Sequence, residues 1–144
     1  MSKKPDILIA ATHLFATKGF KETSTAELAS IIGAAESTIF YHYKTKEEIL
    51  LAVLKSIRED LLHEFERHYA EEQFPNGLAL LEDTISYYFQ LAGAKPETFQ
   101  LLHHRFPYEL ATVNPVCRDH LEAIYTCFID LFETAIHTGQ KDGS

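Results

Sequence analysis

This 144-residue chain contains no run of about eighteen apolar residues, so its hydropathy predicts no membrane-spanning helix. The opening MSKKPDILIAA carries charges but neither a long apolar stretch nor a cleavage pattern. A signal peptide is therefore not expected, and the cytoplasm is the default location. Proline and glycine are scarce, five and six residues, which argues against low complexity. No internal repeat is visible. Cysteine occurs twice and never as C-x-x-C. Cys117 and Cys127 are ten positions apart in a helical stretch, about 15 Å on one helix and too far for a mutual disulfide. They read as buried reduced thiols. Also missing are G-x-S-x-G, a phosphate-binding loop, H-E-x-x-H and any pair of histidines four apart. The chain is thus not expected to be an enzyme, to bind a metal or to carry a cofactor.

What is present is helical. Hydrophobic residues make up 46% of the chain, enough for a core, and no strand-like alternation runs longer than a few residues. The first helix is expected from Pro5 to Lys18, with Ile7, Ala11, Leu14 and Phe15 inward and Gly19 as its C-terminal cap. A fourth begins at the capping box Thr45-x-x-Glu48 and continues to Ala70, its apolar face carrying Ile49, Leu50, Val53, Leu54, Ile57, Leu61 and Phe65. It links the two halves of the chain and reads as the element that transmits movement between them. Phe74-Pro75-Asn76-Gly77 is a turn. Further helices are expected over 78–92, 97–104 and 115–137, with Gly93-Ala94-Lys95-Pro96 ending the first of these. Pro107 is read as an interruption before a brief helical piece to Thr112.

Between the first and fourth helices lies the most informative segment. Ser24 and Glu27 form a second capping box, and Leu28, Ile31 and Ile32 give the helix that follows an apolar stripe. Gly33 stops it. A short third helix runs from Glu36 to Tyr43, with Ile39 and Tyr43 inward. Two short helices joined by a tight glycine turn form a helix-turn-helix, whose second helix enters the DNA major groove. The charge agrees once it is divided. Residues 1–50 carry six lysines against six acids, whereas residues 51–144 carry seven basic side chains against fifteen acidic ones. The entire net charge of −8 thus lies away from the helix-turn-helix. A neutral reading head implies modest nonspecific affinity, and hence two subunits acting together.

Residues 7–54 resemble the DNA-binding domain of TetR-family transcriptional regulators. The matching pieces are ILIAATHLFATKGF, TSTAELA and IGAAESTIFYHYKTKEEILLAVL. The resemblance implies an all-α protein: a three-helix DNA-binding domain, residues 1–46, and a helical ligand-binding and dimerisation domain, residues 47–144. It implies a repressor that binds a near-palindromic double-stranded operator as a homodimer and is released by a small molecule. Ser37, Thr38, Phe40, Tyr41 and His42 fall where the family contacts DNA, with Tyr41 and His42 able to donate to phosphates and Thr38 able to touch a thymine methyl. Phe40 stands where the family often has tyrosine, and Glu36 where it commonly has lysine. Glu36 suits a helix N-terminus and can also accept from a cytosine amino group. Thr25 and Lys46 are the expected phosphate contacts, Lys46 because a cation opposes the dipole at a helix start.

The second half supplies aromatic side chains for an effector pocket: Phe65, Tyr69, Tyr88, Phe89, Phe99, His103, Phe106 and Tyr125. They suggest an apolar or aromatic ligand. The last helix is apolar on two adjacent faces, and Tyr125, Ile129, Phe132 and Ile136 mark the one assigned to dimerisation. The chain ends at GQKDGS one helix sooner than the family usually does, so C-terminal truncation is expected. An alternative follows, a truncated, non-enzymatic interaction protein that pairs with a full-length relative and does not itself hold operator stably.

Overall fold

The computed structural model describes residues 2–144. Among them are eight helices and no strand: α1 (Lys4–Thr17), α2 (Thr25–Ile31), α3 (Glu36–His42), α4 (Lys46–Tyr69), α5 (Gly77–Ala94), α6 (Pro96–Leu102), α7 (Phe106–Ala111) and α8 (Pro115–Asp142). No helix of the described residues is long and apolar enough to cross a membrane.

Helix starts follow side-chain chemistry. Ser24, Thr45, Asn76 and Asn114 each accept a hydrogen bond from the backbone N–H three residues on, satisfying a donor that the first turn leaves free. At α4 the Glu48 carboxylate also reaches back, accepting from the N–H of Lys44, the residue before the cap, at 2.8 Å. Glu27 does not reach back in the same way. Its carboxylate pairs with Lys18 at 2.5 Å and accepts from the Ser24 hydroxyl at 3.4 Å. Gly19 and Gly33 hold φ of +107° and +66°, left-handed values that end α1 and turn the chain from α2 towards α3.

α1, α2 and α3 pack around Ile7, Ala11, Phe15, Leu28 and Ile39, all fully buried. Burying Ile39 alone contributes about 2 kcal/mol and fixes the rotation of α3 about its axis. Ile31, expected in the apolar stripe of α2, is 55% exposed, and Ala29 takes the inward position beside Leu28. At seven residues, α2 is too short to bury more than one narrow face.

α4 spans about 36 Å and buries all seven apolar residues expected of it. It packs on α8, and α8 packs in turn on α5. Three boundaries differ from the sequence expectation. α5 runs through Gly93 to Ala94, because no positive φ occurs at Gly93 and the stop comes from Pro96, which drives Lys95 out of the helical region. Pro107 sits in the first turn of α7 and so starts that helix rather than interrupting one. α8 continues five residues past His137 to Asp142, where Gly143 closes it at φ +81°.

The extended end of α8 crosses the start of α5 at two glycines. A Cβ on Gly77 would lie 2.0 Å from the backbone nitrogen of Gly139, so only glycine permits this approach. The Asp142 carboxylate accepts from the Gly77 N–H at 2.7 Å and the Ser144 hydroxyl from the Leu78 N–H at 3.0 Å. The last turn of α8 and the residues beyond it thus cap α5.

Candidate functional site

α3 presents its outer face with little cover. Tyr41 is 85% exposed and Phe40 49%, while Glu36 and Ser37 are also exposed and Thr38 and His42 are half-buried. Ile39 anchors the helix from behind, and the Tyr43 ring, half-buried below it, lies 5.5 Å from Lys4 Nζ. The Tyr41 and His42 rings meet edge-on at 5.0 Å. Two large aromatics held in water on a seven-residue helix are unfavourable in isolation.

The two helices of the motif are tied at their starts. Thr25 Oγ1 donates to Glu36 Oε1 at 2.5 Å, so both side chains are oriented over the same edge. Ala35 precedes α3 without a side-chain cap, leaving that N-terminus to other partners. Lys46 is placed differently from a free surface cation. Its Nζ donates to the carbonyls of Phe20 and Thr23 at 2.8 and 3.0 Å and lies 4.4 Å from the centre of the Phe20 ring. It therefore bonds the α1–α2 turn to the start of α4. That supplies a structural reason for a cation at a helix start, one the sequence reading did not contain. Lys18 pairs with Glu27, Lys21 with Glu109 and Lys3 with Asp6, whereas Lys4, Lys44 and Lys46 make no salt bridge among the described residues.

The second site is a cleft of about 430 Å³ between α5, α6 and α8. Tyr88 is its hub: the ring stands edge-on to Phe99 at 5.6 Å, to Phe128 at 5.3 Å and to Phe132 at 6.2 Å. Tyr125 and His103 complete the wall, and Glu133 is the one carboxylate that lines it. The His103 Nδ1–H donates to the Phe99 carbonyl at 2.6 Å. The Tyr125 hydroxyl meets that of Tyr108, which in turn bonds the Leu102 carbonyl.

Of the eight aromatic and histidine positions expected around a ligand, Tyr88, Phe99, His103 and Tyr125 come together here. Phe65 lies beneath, buried, with its ring 5.2 Å from Phe128. Phe89 is 68% exposed beside Tyr88. Tyr69 points elsewhere, its hydroxyl donating to Thr84. Phe106 is also elsewhere: it stacks on Phe20 at 4.0 Å, between α7 and the α1–α2 turn. The four residues expected at a dimer face, Tyr125, Ile129, Phe132 and Ile136, line this same cleft. Sequence reasoning missed Phe128 and Glu133 as wall residues, although the spacing 125, 128, 129, 132, 133, 136 marks one helical face.

α6 separates the cleft from the helix-turn-helix. Its Phe99 and Leu102, with His103 just past its end, line the cleft. Glu97 on the same helix meets His13 of α1 at 2.5 Å, and the His104 Nε2–H just beyond it donates to the Ala16 carbonyl at 2.6 Å.

An anchored, exposed short helix after a glycine turn, on a three-helix head joined to a helical body, defines a helix-turn-helix DNA-binding protein. The comparisons agree. Residues 7–53 match the family described as bacterial regulatory proteins, tetR family. The helix-turn-helix segment is thus of the TetR-family type, and the chain as a whole is similar to regulators of that family. It is 25% identical to the HTH-type transcriptional regulator QacR of Staphylococcus aureus, over 99% of this chain and 73% of that protein. Its fold is shared by a transcriptional regulator from Saccharomonospora viridis solved in complex with choline, with a TM-score of 0.83 and 23% identity over 97% of this chain and 71% of the other. The regulator FadR from Bacillus subtilis, solved with stearoyl-CoA, matches with a TM-score of 0.67 and 21% identity over 96% and 72%. These relatives are regulators rather than enzymes.

Proposed function

We propose that this chain is a repressor that binds a near-palindromic double-stranded operator as a homodimer and leaves it when a small molecule fills the α5–α6–α8 cleft. The observation that carries the reading is the exposure of Tyr41 and Phe40 on a helix locked from behind by Ile39. In this reading residues 1–46 form the DNA-binding domain and residues 47–144 the regulatory one, and the protein works in the cytoplasm, where its operator is. Ser37, Thr38, Phe40, Tyr41 and His42 face the groove, Thr25 approaches a phosphate, and Glu36 sits at the groove edge. Lys46 keeps its hydrogen bonds to Phe20 and Thr23 and adds positive potential near the backbone of the DNA.

Tyr125, Ile129, Phe132 and Ile136 meet a second copy, which roofs the outer side of the cleft. The effector is a small, largely apolar molecule. Two neighbours of this fold are solved with small ligands, choline and stearoyl-CoA, and their opposite charges leave the class of ligand to this chain's own residues. Release runs through α6 as well as α4. A ligand that displaces Phe99 and His103 shifts α6, and α6 moves α1 through the Glu97–His13 and His104–Ala16 bonds.

Selection of bound sequences from a random duplex library tests the reading. An enriched inverted repeat with half-sites about one helical turn or a multiple apart supports it. No enrichment from a folded protein counts against it.

A further inference from the structure

The cleft has a chemistry narrower than apolar, and the inference here rests on the effector-site reading above. Its lining includes no lysine or arginine. His103 donates its Nδ1–H to the Phe99 carbonyl, so that donor is not free for a ligand. A carboxylate or phosphate ligand would therefore lose water without gaining a counter-ion, which strongly disfavours it. The one formal charge on the wall is negative. Glu133 lines the cleft one helical turn beyond Ile129 and makes no salt bridge among the described residues.

The aromatic wall has the same preference. Tyr88, Phe99, Phe128 and Phe132 surround the space at steep mutual angles, between 59° and 89° where their rings adjoin. All four rings line the space, and the face of an aromatic ring carries the negative lobe of its quadrupole. Negative faces with a single carboxylate at the rim form a receptor for a positively charged head on an apolar body. The volume, about 430 Å³, is that of a small-molecule site. At longer range, residues 51–144 hold the whole net charge of −8 and draw cations towards this half of the chain. The geometry points to a hydrophobic organic monocation, a quaternary ammonium or a protonated amine bearing an apolar group, as the occupant of this cleft. Glu133 is its charge partner and the Phe132 ring one of its cation–π faces.

The test uses the full chain without DNA and three probes of one shape: (4-phenylbutyl)trimethylammonium, 4-phenylbutanol and 4-phenylbutyrate. Binding is measured by titration calorimetry. The cation is expected to bind about tenfold more tightly than the alcohol, with the carboxylate weakest. Glu133→Gln should weaken the cation about fivefold and leave the alcohol unchanged. Phe132→Leu keeps an apolar wall of similar size and should weaken the cation alone. Circular dichroism confirms that both variants fold. Equal or tighter binding of the alcohol or the carboxylate, or a Glu133→Gln variant that binds the cation as the parent does, overturns the cation assignment and leaves the effector site standing. A cleft that takes no probe, for instance because a second copy fills it, overturns both. Operator selection is scored separately, so failure of the DNA reading is distinguishable from either.

Discussion

Thr25 and Glu36 are bonded to each other, hydroxyl to carboxylate at 2.5 Å, so the starts of α2 and α3 are tied at the edge that faces DNA in our reading. Two residues expected to act separately therefore act as a pair. A carboxylate fixed there repels phosphates. Glu36→Lys is expected to steepen the salt dependence of binding to a random-sequence duplex, by about 0.9 in log–log slope for each phosphate contact it adds. Glu36→Gln should raise nonspecific affinity without that change in slope. Titrations at several salt concentrations check both.

Lys46 provides a sharper case. If it served only as a phosphate contact, its loss would weaken DNA binding and leave folding untouched. Its bonds to the Phe20 and Thr23 carbonyls and its place over the Phe20 ring imply otherwise. Lys46→Met is expected to destabilise the fold by about 2 kcal/mol, the usual range for hydrogen bonds from a charged donor. Urea unfolding decides, and an unchanged midpoint would return Lys46 to a purely DNA-facing role.

The glycine crossing makes a packing prediction. Gly77→Ala places a methyl group against the backbone of Gly139. The ends of α5 and α8 must separate, at a cost of about 2–3 kcal/mol. Thermal unfolding should show a lower midpoint, whereas Gly93→Ala, which meets nothing within 4 Å, should leave it unchanged or slightly raised.

The thiols should be inert in the native protein. Cys117 is fully buried, and burial pushes its thiol above the ordinary value. Burial, with the charges of Asp130 and Glu66, pushes Cys127 up to about 11. At pH 8 both remain protonated, and the thiolate is the reactive form. Labelling by a disulfide reagent should be slow until denaturant is added. Fast stoichiometric labelling of one thiol in the native protein would contradict this.

His120 sets a pH dependence on the acid side. Burial, then the nearby Arg58 and Lys55, lower its pKa below the ordinary imidazole value of 6.5. Between 6.5 and the lowered value the unfolded chain takes up a proton that the folded chain refuses, so stability rises with pH there. The contribution is complete above pH 6.5 and is lost as pH falls through the lowered value. His120→Gln should flatten that part of the stability curve, as read from denaturation midpoints between pH 5 and 7.

Local signals were legible wherever the cause is local. Ser24, Thr45, Asn76 and Asn114 begin helices because their side chains reach a backbone N–H three residues away. The buried face of α4 follows the 3.6-residue period throughout. Ile31 was misread because a seven-residue helix buries only a narrow strip, and which strip depends on where α1 and α3 lie. Phe106 was placed with the ligand on composition, whereas its stacking on Phe20 joins positions 86 residues apart.

By itself the sequence determined the all-helical class, the helix starts and the helix-turn-helix, because capping, periodicity and turn chemistry act over a few residues. Tertiary structure alone decided that Thr25 engages Glu36, that Lys46 bonds the α1–α2 turn, that Gly77 meets Gly139, and that the faces assigned to ligand and to dimer are one cleft. Each of those depends on the angle and depth at which distant helices pack. That geometry is set by the fit of whole side-chain surfaces, and no short window of the chain contains it.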